Sequence, residues 1–476
     1  MIGETLAGTR IPGYWWLPHQ PEARVAGEAV VGPSGRVTLN LFDSLIVTLP
    51  VAPFTMLGET RGFGTQRLIT LLNCTPNLAA IADRVASYSV SSPFVLIGMH
   101  FDNVETLRFR RVMTGLPVLS DWVRRSGRRS TVGQRRRGWA VHQRHLPPIP
   151  LGDVAGLSVS LRHVGEASST ANEFTLRDFW QLDIRSTRLE PYYNYCFVLQ
   201  AVSMILSLAS MTPVAPQWMF ARHTLRNPRF RGRESRLLDR EIEILLEHEE
   251  HDEDRTRSAP HDLVFHLADI EPDPPSFIRG VIEGQGRIAP SLQLLLGTVA
   301  RPSRIGEQDF LSLAQALEAF HRRVQGGTYV PPSEYMAKVL PPLREAVPEN
   351  IDPDFRAHLI QSLAFLNEYS LRKRLRELHH LFVDHLTPLL GSAKFFADRV
   401  ANLRNELTHP GSEQGSTVER AQDEVFLCSE QMRLLLVALV LREFGFDPAK
   451  AASLVSNPQH NTWLKWRLRQ AGQPDG

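Results

Sequence analysis

Cysteine is scarce. Cys74, Cys196 and Cys428 are the only three in 476 residues, and they lie far apart without paired spacing. Neither a disulfide framework nor a cysteine-based zinc site is therefore expected. No basic segment followed by an apolar stretch opens the chain, so no secretory signal is expected and the cytoplasm is the simplest compartment. Long apolar runs are missing but for one. No charged residue falls between Pro191 and Ala221, yet Gln200, Ser203, Ser207 and Ser210 interrupt that run and Thr212-Pro213 ends it. It reads as a core helix, not a membrane span. Hydrolase and nucleotide-binding signatures are also lacking. There is no Gly-x-Ser-x-Gly elbow and no cysteine with an activating neighbour, and the glycines of GETRGFGTQR (58–67) lack the lysine and strand-to-helix context of a phosphate loop.

What is present is an ordinary globular composition, 43% hydrophobic and 22% charged, long enough for several domains. The net charge of +2 hides a polarised distribution. Between Arg108 and Arg144 eleven arginines face the single acid Asp121, while ten acids between Glu234 and Asp254 face Arg236 and Arg240. A block so basic attracts phosphate by Coulomb steering and counterion release. Arg124, Arg125, Arg128, Arg129, Arg135, Arg136 and Arg137 are the candidate RNA-binding cations, with Phe109, Trp122 and Trp139 as candidate stacking platforms. The alternative is an exposed loop solvated by its own charge. The two blocks of opposite sign are also candidates for contact with one another in an idle state. The acidic stretch EHEEHDED (247–254) offers no metal motif, because His248 and His251 stand three residues apart and not the four of a zinc protease helix. No metal and no cofactor are expected.

The chain reads as an α+β protein, a β-rich N-terminal region followed by an all-α bundle. Three parts are expected: 1–146, β-rich with the arginine insert; 147–302, mixed; and 303–476, helical. RVTLNL (36–41), SLIVTL (44–49), RLITLL (67–72) and FVLIGMHF (94–101) are short runs rich in β-branched and aromatic residues. The prolines of 147–150 mark a boundary, and GLSVSLRHV (156–164) and EFTLRDFWQLDIRS (173–186) read as further strands. Helix is expected near Tyr195 and from Ser235 to His251. From Glu307 the pattern turns to amphipathic helices at 310–323, 353–368, 370–386, 392–409 and 417–445.

Within the fourth of these, Arg404-Asn405-Glu406-Leu407-Thr408-His409 brings a guanidinium, an amide and an imidazole to a helix end. On a continuous helix five residues would place Arg404 and His409 about 140° apart. Pro410 disfavours helical dihedrals at His409, which is thereby free to turn back. Phe395, Phe396, Val400, Leu403 and Leu407 supply the expected buried stripe. Histidine can take and give a proton near neutral pH, and arginine forks onto phosphate oxygens. RNA carries its own nucleophile in the 2′-hydroxyl, so these are sufficient parts for metal-free cleavage. Arginine and histidine at this spacing also occur at Arg137/His142 and Arg374/His379; only Arg404 is followed by asparagine.

RNELTH resembles the motif of HEPN ribonucleases. FLSLAQALEAFHRR and NEYSLRKRLRELHHLF are similar to helices of the HEPN domain in ApeA-like anti-phage proteins, and GYWWLPHQPEARVAGEAVV resembles the opening of that family's N-terminal domain. The resemblance implies an endoribonuclease that cuts host or phage RNA, with transfer RNA the first substrate to consider, after a phage-derived trigger is sensed by the N-terminal region. It implies a homodimer with a composite site. Arg404 would stabilise the scissile phosphate, His409 would move protons, Asn405 would orient them, and Glu318 would support the site. Products would end in a 2′,3′-cyclic phosphate. The competing reading is a non-catalytic protein that uses the bundle to dimerise or bind a partner and the basic insert to dock nucleic acid.

Overall fold

Alternating apolar and polar residues fold as strands at the N-terminal end, as a side-chain period of two requires. The computed structural model describes residues 8–43, 53–62, 65–77, 81–82, 85–86, 88–132, 139–170, 173–226, 237–248, 263–271, 273–300, 306–408 and 418–456. The chain divides into two units, Met1–Ser276 and Phe277–Gly476. Each is described by itself.

The first unit opens with β1 (Arg10–Trp16), β2 (Val25–Val31), β3 (Val37–Leu41), β4 (Phe54–Gly62), β5 (Thr65–Asn77), the short pair β6 (Ile81–Ala82) and β7 (Val85–Ala86), then β8 (Tyr88–Ser92) and β9 (Phe94–Ile97). Pairing runs β4-β1-β2-β3-β8-β5 and returns to β4, which closes an antiparallel barrel. Its interior is filled by Trp15, Leu39, Met56, Ile69 and Leu71. Each large apolar side chain buried there contributes roughly 1.5–3 kcal/mol. The Trp15 ring lies over Gly58, where a Cβ would come within 2.3 Å of it, so only glycine fits. Segment 44–49, expected as a strand, lies outside the described residues.

β8 and β9 run along the same edge of β5 in one register, Asn77↔Ser89 through Ile69↔Ile97, and are separated only by Pro93. On their outer edge β8 pairs with β3 and closes the barrel, whereas β9 pairs with a strand of a second, open sheet. Pro93, which has no N–H, sits where the strand changes sheets.

The open sheet is built from β10 (Arg108–Gly115), β13 (Ile149–Val154), β14 (Leu157–Ser169), β15 (Phe174–Pro191), β16 (Trp218–Arg226) and β17 (Leu237–Leu246), in the order β13-β14-β15-β10-β16-β17-β9. The prolines expected as a boundary lead into β13, an edge strand, where a missing donor is tolerated. Between β10 and β13 lie the short helix α1 (Leu119–Val123) and a two-stranded ribbon, β11 (Arg128–Val132) with β12 (Trp139–Gln143). One sheet face, including Val112, Leu161, Trp180, Leu182 and Ile184, is buried; α2 (Tyr192–Ser210) packs against β10 and β15. α2 is long and apolar enough to cross a membrane, and it is mostly buried in the fold. Its serines are satisfied locally: Ser207 and Ser210 donate to the carbonyls of Ser203 and Leu206, both at 2.8 Å.

Helix was expected over 235–251, but Leu237–Leu246 is strand. In EIEIL, the buried Ile242 and Ile244 alternate with the charged Glu241 and Glu243. That period of two, read out by pairing with β16 and β9, outweighs the helix propensity of Leu, Arg and Glu.

The second unit is helical: α3 (Pro274–Ala300), α4 (Glu307–Val324), α5 (Pro332–Glu334), α6 (Leu340–Glu345), α7 (Pro353–Leu363), α8 (Leu371–His380), α9 (Val383–Leu390), α10 (Ala393–Thr408), α11 (Val418–Glu443) and α12 (Pro448–Val455). An α+β chain with a β-rich first part and a helical second part is thus what the sequence folds into. Capping explains the starts. The carboxylates of Asp352 and Asp447 accept from the amides of Phe355 (3.0 Å) and Lys450 (2.9 Å), each followed by proline at the first helical position. The helix expected over 370–386 breaks into α8 and α9, where Phe382 buries its ring and its amide returns to His379. The core is made by Phe310, Leu313, Leu317 and Phe320 of α4, Leu375 and Leu378 of α8, Phe396 and Val400 of α10, and most of the C-terminal half of α11. α7 buries none of its residues; Phe355 is 53% exposed, and just past its end Phe365 is 63% and Leu366 58% exposed.

Candidate functional site

α10 is anchored before it is functional. Ser392 receives the amide of Phe395, and Phe396, Ala397, Val400, Ala401 and Leu403 are buried. Phe395, expected in that stripe, is 40% exposed and lies under the Arg399 guanidinium, because it falls on the side of the helix opposite Ala397 and Ala401. Arg404 follows Val400 by four residues, about 40° round the helix. It therefore prolongs the buried stripe beyond the point where other helices cover it, and it stands exposed. Asn405 is exposed beside it. Among the described residues neither side chain makes a hydrogen bond or ion pair. Thr408 closes the helix by donating to the Arg404 carbonyl at 2.9 Å. His409 lies outside the described residues.

A second cation sits close by. Arg372 of α8 donates to Asn402 at 2.5 Å and pairs with Asp398 at 3.2 Å. Asp398, Asn402 and Asn405 form one ridge of α10, so this guanidinium lies along the ridge that leads to the motif. No motif in the sequence signals it; only the packing of α8 on α10 does.

Glu318 belongs to a different constellation. It accepts from Arg322 at 3.1 Å, and Arg322 also pairs with Glu368 at 2.7 Å. Behind them Arg374, 1% exposed, donates to the Tyr369 carbonyl (3.0 Å), the Gly326 carbonyl (2.9 Å) and His321 Nδ1 (3.0 Å). The buried imidazole of His321 reaches Glu377 through Nε2 at 2.8 Å. The same ring's Nδ1 also stands 3.1 Å from the Gly326 carbonyl that Arg374 holds. Burial, and then the charge of Arg322, lower the Arg374 pKa, against the pull of Glu318, Glu368 and Glu377. This network pins α4 to α8. No hydrogen bond or ion pair joins Glu318 to Arg404 or Asn405 among the described residues. The signal was present in the sequence: Arg374 interrupts the apolar stripe Leu371, Leu375, Leu378, where a charge must find partners. His379, the other half of that chance motif match, is buried and bonded to the Gly391 carbonyl at 2.9 Å, and burial lowers its pKa.

The arginine insert is structured at its base. Arg128 and Arg129 lie on β11 and are exposed, with no ion pair among the described residues; Arg124 is exposed, and Arg125 pairs with Glu271 at 2.5 Å. Arg135, Arg136 and Arg137 lie outside the described residues. A buried carboxylate clasps the ribbon: Asp178 of β15 accepts from Ser126, from Gln143 (2.8 Å) and from His163. Burial raises the Asp178 pKa, but these three donors together outweigh it and hold the carboxyl below its usual value. Gly127 allows the close approach, since a Cβ there would meet the Arg144 carbonyl at 2.0 Å. The stacking role expected for Phe109 and Trp122 is overturned: both are core residues, 0% and 1% exposed. The Trp139 side chain lies outside the described residues. No ion pair among the described residues joins the basic block to the acidic run; Glu241 and Glu247 pair instead with Arg222 and Arg36.

A helical bundle that ends one packed helix in an exposed arginine and asparagine, preceded in the sequence by a β-barrel and open sheet, defines a HEPN-domain protein with a β-rich N-terminal half. Residues 311–450 match the family model described as Apea-like HEPN, and residues 10–278, more than half the chain, match ApeA N-terminal domain 1. The chain belongs to the ApeA-like family and carries its HEPN domain at the C-terminal end. No curated protein and no solved structure matches it.

Proposed function

We propose that the chain is a metal-independent endoribonuclease serving as an anti-phage effector in the cytoplasm. The observation that carries this reading is Arg404: an exposed guanidinium without a partner among the described residues, on a rigidly packed helix, inside the region that matches a HEPN domain. Arg404 binds the scissile phosphate and stabilises the charge that develops on it. His409 takes the 2′-hydroxyl proton or protonates the leaving 5′-oxygen, and Asn405 orients the phosphate. The products are a 2′,3′-cyclic phosphate and a 5′-hydroxyl. Two copies of the chain combine their motifs, and the exposed apolar residues around α7 supply surface of the kind that marks an interface. The β11–β12 ribbon docks the RNA backbone, and the N-terminal unit responds to a phage-derived trigger. Transfer RNA is the first substrate to test.

The test is cleavage of total cellular RNA in EDTA, with end-mapping of the products. Arg404→Ala and His409→Ala should each lower the rate by about 10²–10⁴-fold, the usual span for removing a charge stabiliser or a general acid-base group. Cleavage that requires magnesium, or that survives both substitutions, rejects the assignment. RNA binding that persists without any cleavage would instead favour the non-catalytic reading, to which the exposed surface around α7 lends itself equally.

A further inference from the structure

The face of the open sheet turned away from α2 carries a cleft that the nuclease reading does not use. Trp218 and Phe220 alternate on β16, and Trp218 lies 6.3 Å from Phe179 and 5.8 Å from Phe220, centroid to centroid. The indole covers Gly115, its cross-strand partner, where a Cβ would come within 2.3 Å of Nε1. Trp218, Phe179, Glu243 and Arg177 line an open cleft of about 360 Å³, within the range of small-molecule sites. Glu243 faces Phe220 across the sheet, so it is the diagonal neighbour of Trp218, roughly 7–8 Å away.

The Glu243 carboxylate is half-buried and has no hydrogen-bond partner among the described residues. Burial raises its pKa, with Glu241 adding to the rise and the charge of Arg67 opposing it. The Glu243 oxygens face the open cleft with no protein donor on them among the described residues, so they are available to accept from a ligand. Arg177 is exposed at the rim, two residues before Phe179. The cleft thus offers the Trp218 indole with Phe179 edge-on beside it, a fork of two acceptor oxygens and a peripheral cation. Among the common nucleobases guanine alone presents two adjacent N–H donors, N1–H and the 2-amino group, on its pairing edge; adenine, cytosine and uracil each place an acceptor beside their donor.

We propose that this cleft binds a guanine nucleotide, with the base against Trp218, its N1–H and 2-amino group on the Glu243 carboxylate, and the phosphate on Arg177. The nucleotide is either free or a residue of a single-stranded nucleic acid. The proposal is independent of the nuclease reading, because binding is measured without turnover.

The test is calorimetric titration of the full chain carrying His409→Ala with GMP, with guanosine, with AMP, and with a short single-stranded RNA containing one guanine. GMP should bind saturably and at least about tenfold more tightly than AMP, as loss of a charge-assisted hydrogen bond implies. Glu243→Gln, nearly isosteric, should erase that preference. Arg177→Gln, at an exposed position, should weaken GMP while leaving guanosine unchanged. Tighter binding of the RNA than of GMP assigns the site to nucleic acid, and the reverse order assigns it to the free nucleotide. Equal affinity for GMP and AMP, a preference that survives Glu243→Gln, or no saturable binding of GMP or RNA in the millimolar range overturns the proposal.

Discussion

Replacing Arg374 by alanine should damage the helical unit far more than removal of any exposed arginine. The guanidinium is 1% exposed and gives hydrogen bonds to two main-chain carbonyls and to His321, with Glu368 at 3.5 Å. Its loss removes the side-chain donor to the Tyr369 carbonyl, leaves the Gly326 carbonyl only the His321 ring at 3.1 Å, and opens a cavity between α4 and α8. Glu368 is not stranded, since Arg322 holds it at 2.7 Å. Hydrogen bonds to charged groups contribute about 1.5–3 kcal/mol each, and breaking a buried ionic network by removing one member costs about 3–5 kcal/mol. For a unit of this size each kcal/mol lowers the melting temperature by about 2–4 °C, so a fall on the order of 10 °C is expected. The assay is thermal and urea unfolding followed by far-ultraviolet circular dichroism, which is dominated by helix. Arg374→Lys keeps the charge but not the fork and should recover less than half of the loss. A destabilisation below about 1 kcal/mol, the worth of an exposed pair, would refute the account of a buried network.

Three other outcomes follow from the N-terminal unit. Asp178 is held below its usual pKa in the folded chain, so its stabilising contribution is present above about pH 4, the unfolded value, and disappears as pH falls through the folded value. Asp178→Asn should therefore lower stability at neutral pH and converge with the unsubstituted chain in acid, as melting curves across pH will show. Arg128→Gln with Arg129→Gln should reduce the salt slope of RNA binding by about 0.7 for each phosphate that is no longer neutralised; an unchanged slope removes the ribbon from the RNA path. Gly58→Ala forces a methyl into the Trp15 ring and should cost about 1–3 kcal/mol in urea titrations, with loss of the tryptophan emission signature of the barrel.

The parts legible in the sequence are those fixed by local periodicity. Val37–Leu41, Leu157–Ser169 and the apolar stripe of Phe310, Leu313, Leu317 and Phe320 were readable because their neighbours in sequence are also their neighbours in pattern. Leu237–Leu246 was not, because its Leu, Arg and Glu favour helix and only distant partners, β16 and β9, overrule them. Trp122 and Phe109 sit among arginines in sequence yet turn into the core, since ring burial outweighs the company of exposed charges. At the candidate site, Arg404 and Asn405 could be placed on a helix end from sequence alone. The partners of Glu318 and the tether on Arg372 could not, because both depend on how α4, α8 and α10 lie against each other.

The change of sheets at Pro93 has a mechanical corollary. One stretch of backbone, paired with β5 on both sides of Pro93, is shared between the barrel and the open sheet. Neither sheet can open without pulling ladder bonds from the other, so amide hydrogen exchange should report a single free energy of opening for both. A ligand that tightens either sheet then slows exchange in its neighbour, with no hinge between them.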